Sequence, residues 1–353
     1  MQKFDSISHF IQSGDFEYRV FDMGRKLTRI DNHDFAEIEA QKLVYPYPFQ
    51  QKAWLALLIW EEGKQQDSVI WFLQFPLDEL GYLKLQSRDA FLLDLLQQTG
   101  KNIEAKQKGK KVLDELAESA FAFKPSAYRL AALHAFASCE LGQPASRYYS
   151  HAHSYLTGEN GFEQWQFLGL QGIADVVARL DQDHNEELLI KALPQMQAEP
   201  LEYFSQFLEN VSISDELFFA LEERLRQEIQ AEKYNMRLVS ALLRGISGSR
   251  AELKERLFLE LMQLPVASEI EFLAVISGRS WESLKNPALL DVFIENLAQQ
   301  EQPGFNAILL DLLVIPGMRE VVFAAIRNPR RSEKVSQKLG VFMQALNAGN
   351  DTI

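Results

Sequence analysis

From residue 126 onward, apolar positions recur at three- and four-residue spacing. They form stretches of ten to eighteen residues broken by short polar turns. That spacing predicts amphipathic helices. A turn phrase recurs within this region: Leu208-Glu209-Asn210-Val211-Ser212, Leu243-Arg244-Gly245-Ile246-Ser247, Ala274-Val275-Ile276-Ser277-Gly278 and Leu313-Val314-Ile315-Pro316-Gly317. Taking Val211, Ile246, Ile276 and Ile315 as equivalent gives spacings of 35, 30 and 39 residues. A helix-turn-helix unit repeating at that period predicts an α-solenoid. First helices are expected to begin near Pro200, Met236, Glu269 and Phe305, and second helices near Asp215, Ala251, Ala288 and Arg319. Ser214, Ser249 and Ser268 stand where N-caps belong, and Pro287 near a first helical position.

The first hundred residues follow a different pattern. Ser6 is placed to cap a short helix running to Ile11, with Gly14 beyond it. Residues 16–22 and 25–30 suggest a β-hairpin turning tightly at Met23-Gly24, with Asp22 facing Arg25 and Val20 facing Leu27. Residues 53–60 are apolar at every position, as is most of 69–75, and the polar link 61–68 contains Gly63. That predicts a second hairpin whose sheet is covered on both faces. Helices over 34–41 and 87–98 would provide one cover. Trp54, Trp60 and Trp71 fall in this hairpin and are expected in the core.

The fold class is therefore α+β, a small antiparallel-sheet domain followed by a mostly helical solenoid. The divisions expected are an α+β domain over 1–100, a basic linker over 101–125, a solenoid over 126–346 and a frayed tail over 347–353. The linker carries Lys101, Lys106, Lys108, Lys110 and Lys111 around Gly109, without an interleaved aromatic. Residues 127–156, where small residues face aromatics across Leu141-Gly142, resemble a tetratricopeptide hairpin. Trp165, Leu168-Gly169, Ala174 and Ala178 look like a second, degenerate helix of that kind. Residues 199–340 loosely resemble HEAT-type repeats. Taken whole, the order of segments and the phrase Phe21-Asp22-Met23-Gly24-Arg25-Lys26-Leu27-Thr28-Arg29-Ile30 resemble a domain-of-unknown-function family of marine and enteric gammaproteobacteria. That resemblance spans nearly the whole chain. It implies a bacterial cytoplasmic setting and carries no catalytic residues.

Charge narrows the partners. The chain is −13 at neutral pH, with −5 in residues 1–100 and −8 in the rest. Acidity in both parts disfavours a nucleic-acid backbone as partner. No run approaches the ~18 apolar residues of a membrane helix, and the start lacks a signal-peptide pattern. Cys139 is the single cysteine, which suits a reducing cytoplasm.

Candidate chemistry is sparse. No phosphate-binding glycine loop, His-Glu-x-x-His or Gly-x-Ser-x-Gly occurs. His151 and His153 would point about 200° apart on a helix, which suits separate roles better than one metal ion. Cys139, beside Glu140 at a helix end, is expected to be a small packing residue. Asp34 and Glu37 suit a capping box. No catalytic, cofactor-binding or metal-ligating residue is assigned, and no cofactor is expected. One polar group stands out: Arg19, Arg25, Lys26 and Arg29 crowd the first hairpin of an acidic chain, as candidates to bind an anion or an acidic partner. The expected function is a non-enzymatic scaffold or adaptor that binds another protein. The alternative is an enzyme or a small-ligand or nucleotide-binding regulator, with its site between the sheet and the solenoid around Arg19, Arg25, Arg29 and Asp31.

Overall fold

Ser6 opens the first element as its sequence position suggests: its hydroxyl accepts from the His9 amide at 3.0 Å. In the computed structural model, which describes residues 4–14, 16–102, 119–159 and 161–350, the resulting helix α1 spans Ile7–Ser13 and ends at Gly14. Glu39, fully buried, accepts from the Ile7 and Ser8 amides at 2.6 and 2.9 Å. It satisfies donors that a helix start otherwise leaves bare. Contacts between Cα atoms divide the chain into two units, Met1–Pro144 with Val314–Pro316 and Ala145–Leu313 with Gly317–Ile353.

The first unit contains an antiparallel sheet of β1 (Phe16–Asp22), β2 (Thr28–Ile30), β3 (Lys52–Glu61) and β4 (Val69–Pro76), in the order β2-β1-β3-β4. The second hairpin is as expected. The first is not: Val20 pairs with Ile30 and Asp22 with Thr28, so residues 23–27 form a longer loop and Asp22 does not face Arg25 across strands. The cause is the Asp22 carboxylate, which turns inward. Its Oδ2 accepts from the Gly24 and Arg25 amides at 3.1 and 3.2 Å, folding the loop around a buried acid. Helix α2 (Asn32–Glu39) likewise starts at Asp31, whose side chain accepts from the His33 amide. Asp34 is therefore not the cap, and Glu37 pairs with Lys42.

One sheet face buries Tyr18, Val20, Leu55, Leu57, Leu73 and Phe75 against Ile7, Ile11, Phe35, Ile38, Phe91 and Leu95 of α1, α2 and α3 (Leu85–Asn102). The other buries Phe21, Ala56, Leu58 and Trp60. Helix α4 (Ala127–Glu140) is tied to this second face at both ends. Before it, Phe123 packs edge-on against Trp54 and Phe72, with centroids 5.0 and 5.8 Å apart. Arg129 donates to the Gly24 and Arg25 carbonyls at 2.9 Å. Glu140, at the far end, meets Arg19 and Arg29. Residues 121–123 also close the free edge of β4: the Gln74 amide donates to the Phe121 carbonyl and the Phe123 amide to the Phe72 carbonyl. Both faces are thus covered, and α4, which the residue pattern placed with the solenoid, groups with the sheet.

The second unit continues with α5 (Tyr149–Thr157), α6 (Leu170–Val177) and α7 (Asn185–Ala192). Four hairpins follow: α8 (Ala198–Leu208) with α9 (Asp215–Gln230), α10 (Met236–Ile246) with α11 (Ala251–Leu261), α12 (Ile270–Arg279) with α13 (Pro287–Leu297), and α14 (Gln302–Leu313) with α15 (Met318–Ile326). Helix α16 (Glu333–Asn350) comes last. First helices contact first helices (α6, α8, α10, α12, α14 in turn), and α11, α13 and α15 do the same among second helices, which is solenoid stacking. Side chains also link neighbouring hairpins at nearly constant separations. Arg226 to Glu260 and Arg256 to Glu222 span 34 residues, Arg244 to Glu209 and Tyr234 to Glu269 span 35, and Asn328 to Asp291 spans 37.

The turn phrases end first helices, although Ile276 lies inside α12 and Val211 is only half-buried, whereas Ile246, Ile276 and Ile315 are buried. Ser214 caps α9 and Pro287 opens α13. Ser249 and Ser268 are not caps: α11 starts after Arg250 and α12 after Glu269. Asparagines cap two other helices, Asn235 at α10 and Asn286 at α13, each accepting from two amides. Gly248 permits a close backbone approach, since a Cβ there would stand 1.9 Å from the Val211 carbonyl oxygen. Lys106, Lys108, Gly109, Lys110 and Lys111 of the basic linker lie outside the described residues, as do 351–353 of the tail.

Candidate functional site

Across α8, α10 and α12, a groove of ≈ 330 Å³ is lined by Gln206, Met236, Arg237, Ser240, Ala241, Arg244 and Glu271. Helical spacing explains the lining. On α10, Leu238, Val239, Leu242, Leu243 and Ile246 are buried, which leaves Arg237, Ser240 and Arg244 on the remaining stripe. The groove crosses three successive hairpins, so a segment lying in it would touch more than one repeat.

Charges there are layered, with carboxylates below and guanidinium groups above. Glu209 is 4% exposed and serves two arginines at once. Arg244 donates from Nε and Nη2 at 2.7 and 2.9 Å, and Arg279 from Nε at 2.8 Å. Arg237 approaches Glu202 at 2.6 Å while its own side chain is 72% exposed. Burial pushes the Glu202 carboxyl above its usual range, and Arg237 opposes that. Glu271 supplies an exposed negative charge on the opposite wall. The walls therefore carry donors and acceptors of both signs, and all of them stand on helices.

These residues were not singled out by the residue pattern, yet a signal was present. Glu209 and Arg244 lie inside the turn phrases, Arg279 directly follows one, and the interval from Glu209 to Arg244 equals one repeat. Charges held in register within apolar turn phrases mark side chains that pair across repeats.

The four basic residues of the first hairpin separate in the structure. Arg19 and Arg29 converge on Glu140. Arg25 is 1% exposed, donates from Nε to the Pro48 carbonyl at 2.8 Å, and lies over the Phe49 ring. Lys26 is half-buried in the same loop. Beside Arg25 sits Asp22, wholly buried, with Tyr45 donating to its Oδ1 at 2.5 Å. Burial pushes the Asp22 carboxyl up to about 7, opposed by the Tyr45 and backbone hydrogen bonds and by Arg129. Burial and Asp22 raise the Tyr45 hydroxyl well above the ordinary phenol range.

A family model described as a protein of unknown function, DUF3549, matches residues 2–343. The chain belongs to that family. No curated protein and no solved structure matches it. The match covers the sheet, the stacked hairpins and the groove, so all three are contained in the stretch that defines the family.

The remaining candidates are dispersed. His151 is exposed, while a His153 ring nitrogen lies 3.1 Å from the Asp183 carbonyl oxygen. Cys139 is half-buried near the end of α4. Among the described residues no helix is long and apolar enough to cross a membrane.

Proposed function

We propose that this chain is a non-enzymatic scaffold or adaptor that binds a segment of another protein along the first helices of its stacked hairpins. The groove over α8, α10 and α12 carries the reading. It spans three repeats, its walls are rigid helices, and it presents Arg237, Ser240, Arg244 and Glu271 to one bound chain. Such a surface suits an extended or helical peptide whose polar groups pair with both signs of charge. The tetratricopeptide-like and HEAT-like character of the residue pattern supports the same reading, since stacked helix pairs form extended binding surfaces.

The test is affinity capture from native cytoplasm with the full chain and with Ser240→Trp. Ser240 is half-buried on the groove-facing stripe of α10, so a large ring there fills the groove without entering the core. The proposal expects a discrete partner that the wild-type chain retains and Ser240→Trp loses while its melting temperature is kept. Equal retention by both chains would place the partner elsewhere and overturn this assignment.

A further inference from the structure

Arg19 and Arg29 lie on the same sheet face, because Arg29 pairs with Phe21 and Arg19 is two residues from Phe21 on β1. Arg19 is fixed from below by the buried Trp60 ring, with its guanidinium carbon 5.2 Å from the centroid. It donates from Nε to Glu140 at 3.2 Å and from Nη1 to the Tyr18 carbonyl at 2.9 Å. Arg29 donates from Nη1 to the same Glu140 oxygen, Oε1. Glu17 is a weaker neighbour, 4.0 Å from Arg19 and largely exposed. Each guanidinium has five N–H donors. Arg19 Nη2 and Arg29 Nε and Nη2 have no acceptor among the described residues, nor has Glu140 Oε2 a donor. Glu140 itself runs against local preference. It is the last residue of α4, where the helix dipole disfavours a carboxylate. The two arginines offset that cost.

We propose that Arg19 and Arg29 form a site for a phosphate monoester group, and that Glu140 is its resident stand-in. One carboxylate oxygen engages only one N–H of each arginine. A dianion with three acceptor oxygens uses the remaining donors and carries the charge needed to displace a tethered carboxylate. Phosphate entry would thereby release the end of α4 from the sheet. The assignment is independent of the groove reading, which concerns the other unit.

The experiment is calorimetric titration of the full chain with inorganic phosphate at constant ionic strength, with acetate as the carboxylate control. Removing the resident charge in Glu140→Gln is expected to tighten phosphate binding about tenfold, the factor for one charge-assisted hydrogen bond. Arg29→Gln and Arg19→Gln are expected to abolish binding in either background. Arg29 is 44% exposed, so its variant tests the site without disturbing the core. Phosphate binding in Glu140→Gln that is no tighter than in wild type, acetate binding as tightly as phosphate, or affinity surviving Arg29→Gln would each overturn the proposal. Should Glu140→Gln fail to fold, comparing wild type with Arg29→Gln at high phosphate decides it alone.

Discussion

Asp22→Asn isolates the energetic consequence of a carboxyl buried without a charged donor. The three donors on Asp22, the amides of Gly24 and Arg25 and the Tyr45 hydroxyl, are all neutral, and the residue has no exposed surface. Burial raises its pKa from 3.8 to about 7. Between those values the folded chain holds a proton that the unfolded chain has released. Raising the pH through this window therefore removes stability, and above about 7 both states are ionised and the loss is complete. A shift of about three units corresponds to about 4 kcal/mol at 1.36 kcal/mol per unit. Asn keeps the shape. Its oxygen can accept from both amides, and its nitrogen can donate to Tyr45, whose hydroxyl then turns to the Trp54 carbonyl 3.5 Å away. Urea unfolding of both chains at several values between about pH 4.5 and 8 gives the difference directly, and other titrating groups cancel. Tryptophan fluorescence suits the measurement because Trp54, Trp60 and Trp71 all lie in the sheet. The expected result across this range is a variant that gains on wild type by about 3 kcal/mol as pH rises, then levels near pH 7. A difference that is flat across the range, or wild type gaining with pH, would refute the reasoning. Asp22→Ala, which strands Tyr45 and both amides, should instead lose stability at every pH.

Other expectations rest on packing and backbone geometry. Trp71→Ala should cost ~3–5 kcal/mol in thermal or urea unfolding, because the ring is 9% exposed and packs edge-on against Phe91 with centroids 6.2 Å apart. Trp54→Ala, half-exposed against Phe123, should cost less, and the reverse order would contradict the burial argument. Gln50 and Gln51 hold φ of 52° and 56° in a two-residue turn between Phe49 and Lys52, a conformation that favours Asn-Gly. The double change Gln50→Asn/Gln51→Gly should therefore raise stability by ~1 kcal/mol, and a lower melting temperature would contradict it. Gly248→Ala should lose ~1–3 kcal/mol, since its Cβ would collide with the Val211 carbonyl. Unchanged unfolding would show that the turn yields freely.

Local patterns survived folding where local chemistry decided them. The Ser6 cap, the hairpin of β3 and β4, and the repeat of first and second helices were all legible, because each depends on residues within a few positions or on a strong apolar period. The register of β1 and β2 was not. Alternation alone fits several pairings, and the deciding event is Asp22 turning inward toward Tyr45, 23 residues away. The four basic residues of the first hairpin separate for a related reason. Residues close together in one hairpin can point to solvent or to the core, and only the tertiary environment sends Arg25 to Pro48 and Arg29 to Glu140. Nothing local in the residue pattern encodes a partner 111 residues distant.

The stacked hairpins show how apolar and polar contacts divide the work of specifying a repeat. Stripes such as Leu238, Leu242 and Ile246 on α10 attract neighbouring helices but are non-directional, so a helix sliding along its neighbour would lose little burial. Directional contacts remove that freedom. Arg244 reaches back one repeat to Glu209, and Arg279 reaches the same carboxylate across 70 residues, locking three successive first helices to one buried point. On the second helices, Glu222 joins Arg226 within α9 to Arg256 of α11, and Arg226 continues to Glu260. Each bond forms only if neighbouring repeats differ by a fixed number of residues, close to 35 here. The polar partners therefore set the register while the apolar stripes supply the attraction. That is why the turn phrases, spaced at 30 to 39, tracked the repeat only loosely. Their apolar residues need only be buried, whereas Glu209, Arg244 and Arg279 must also meet.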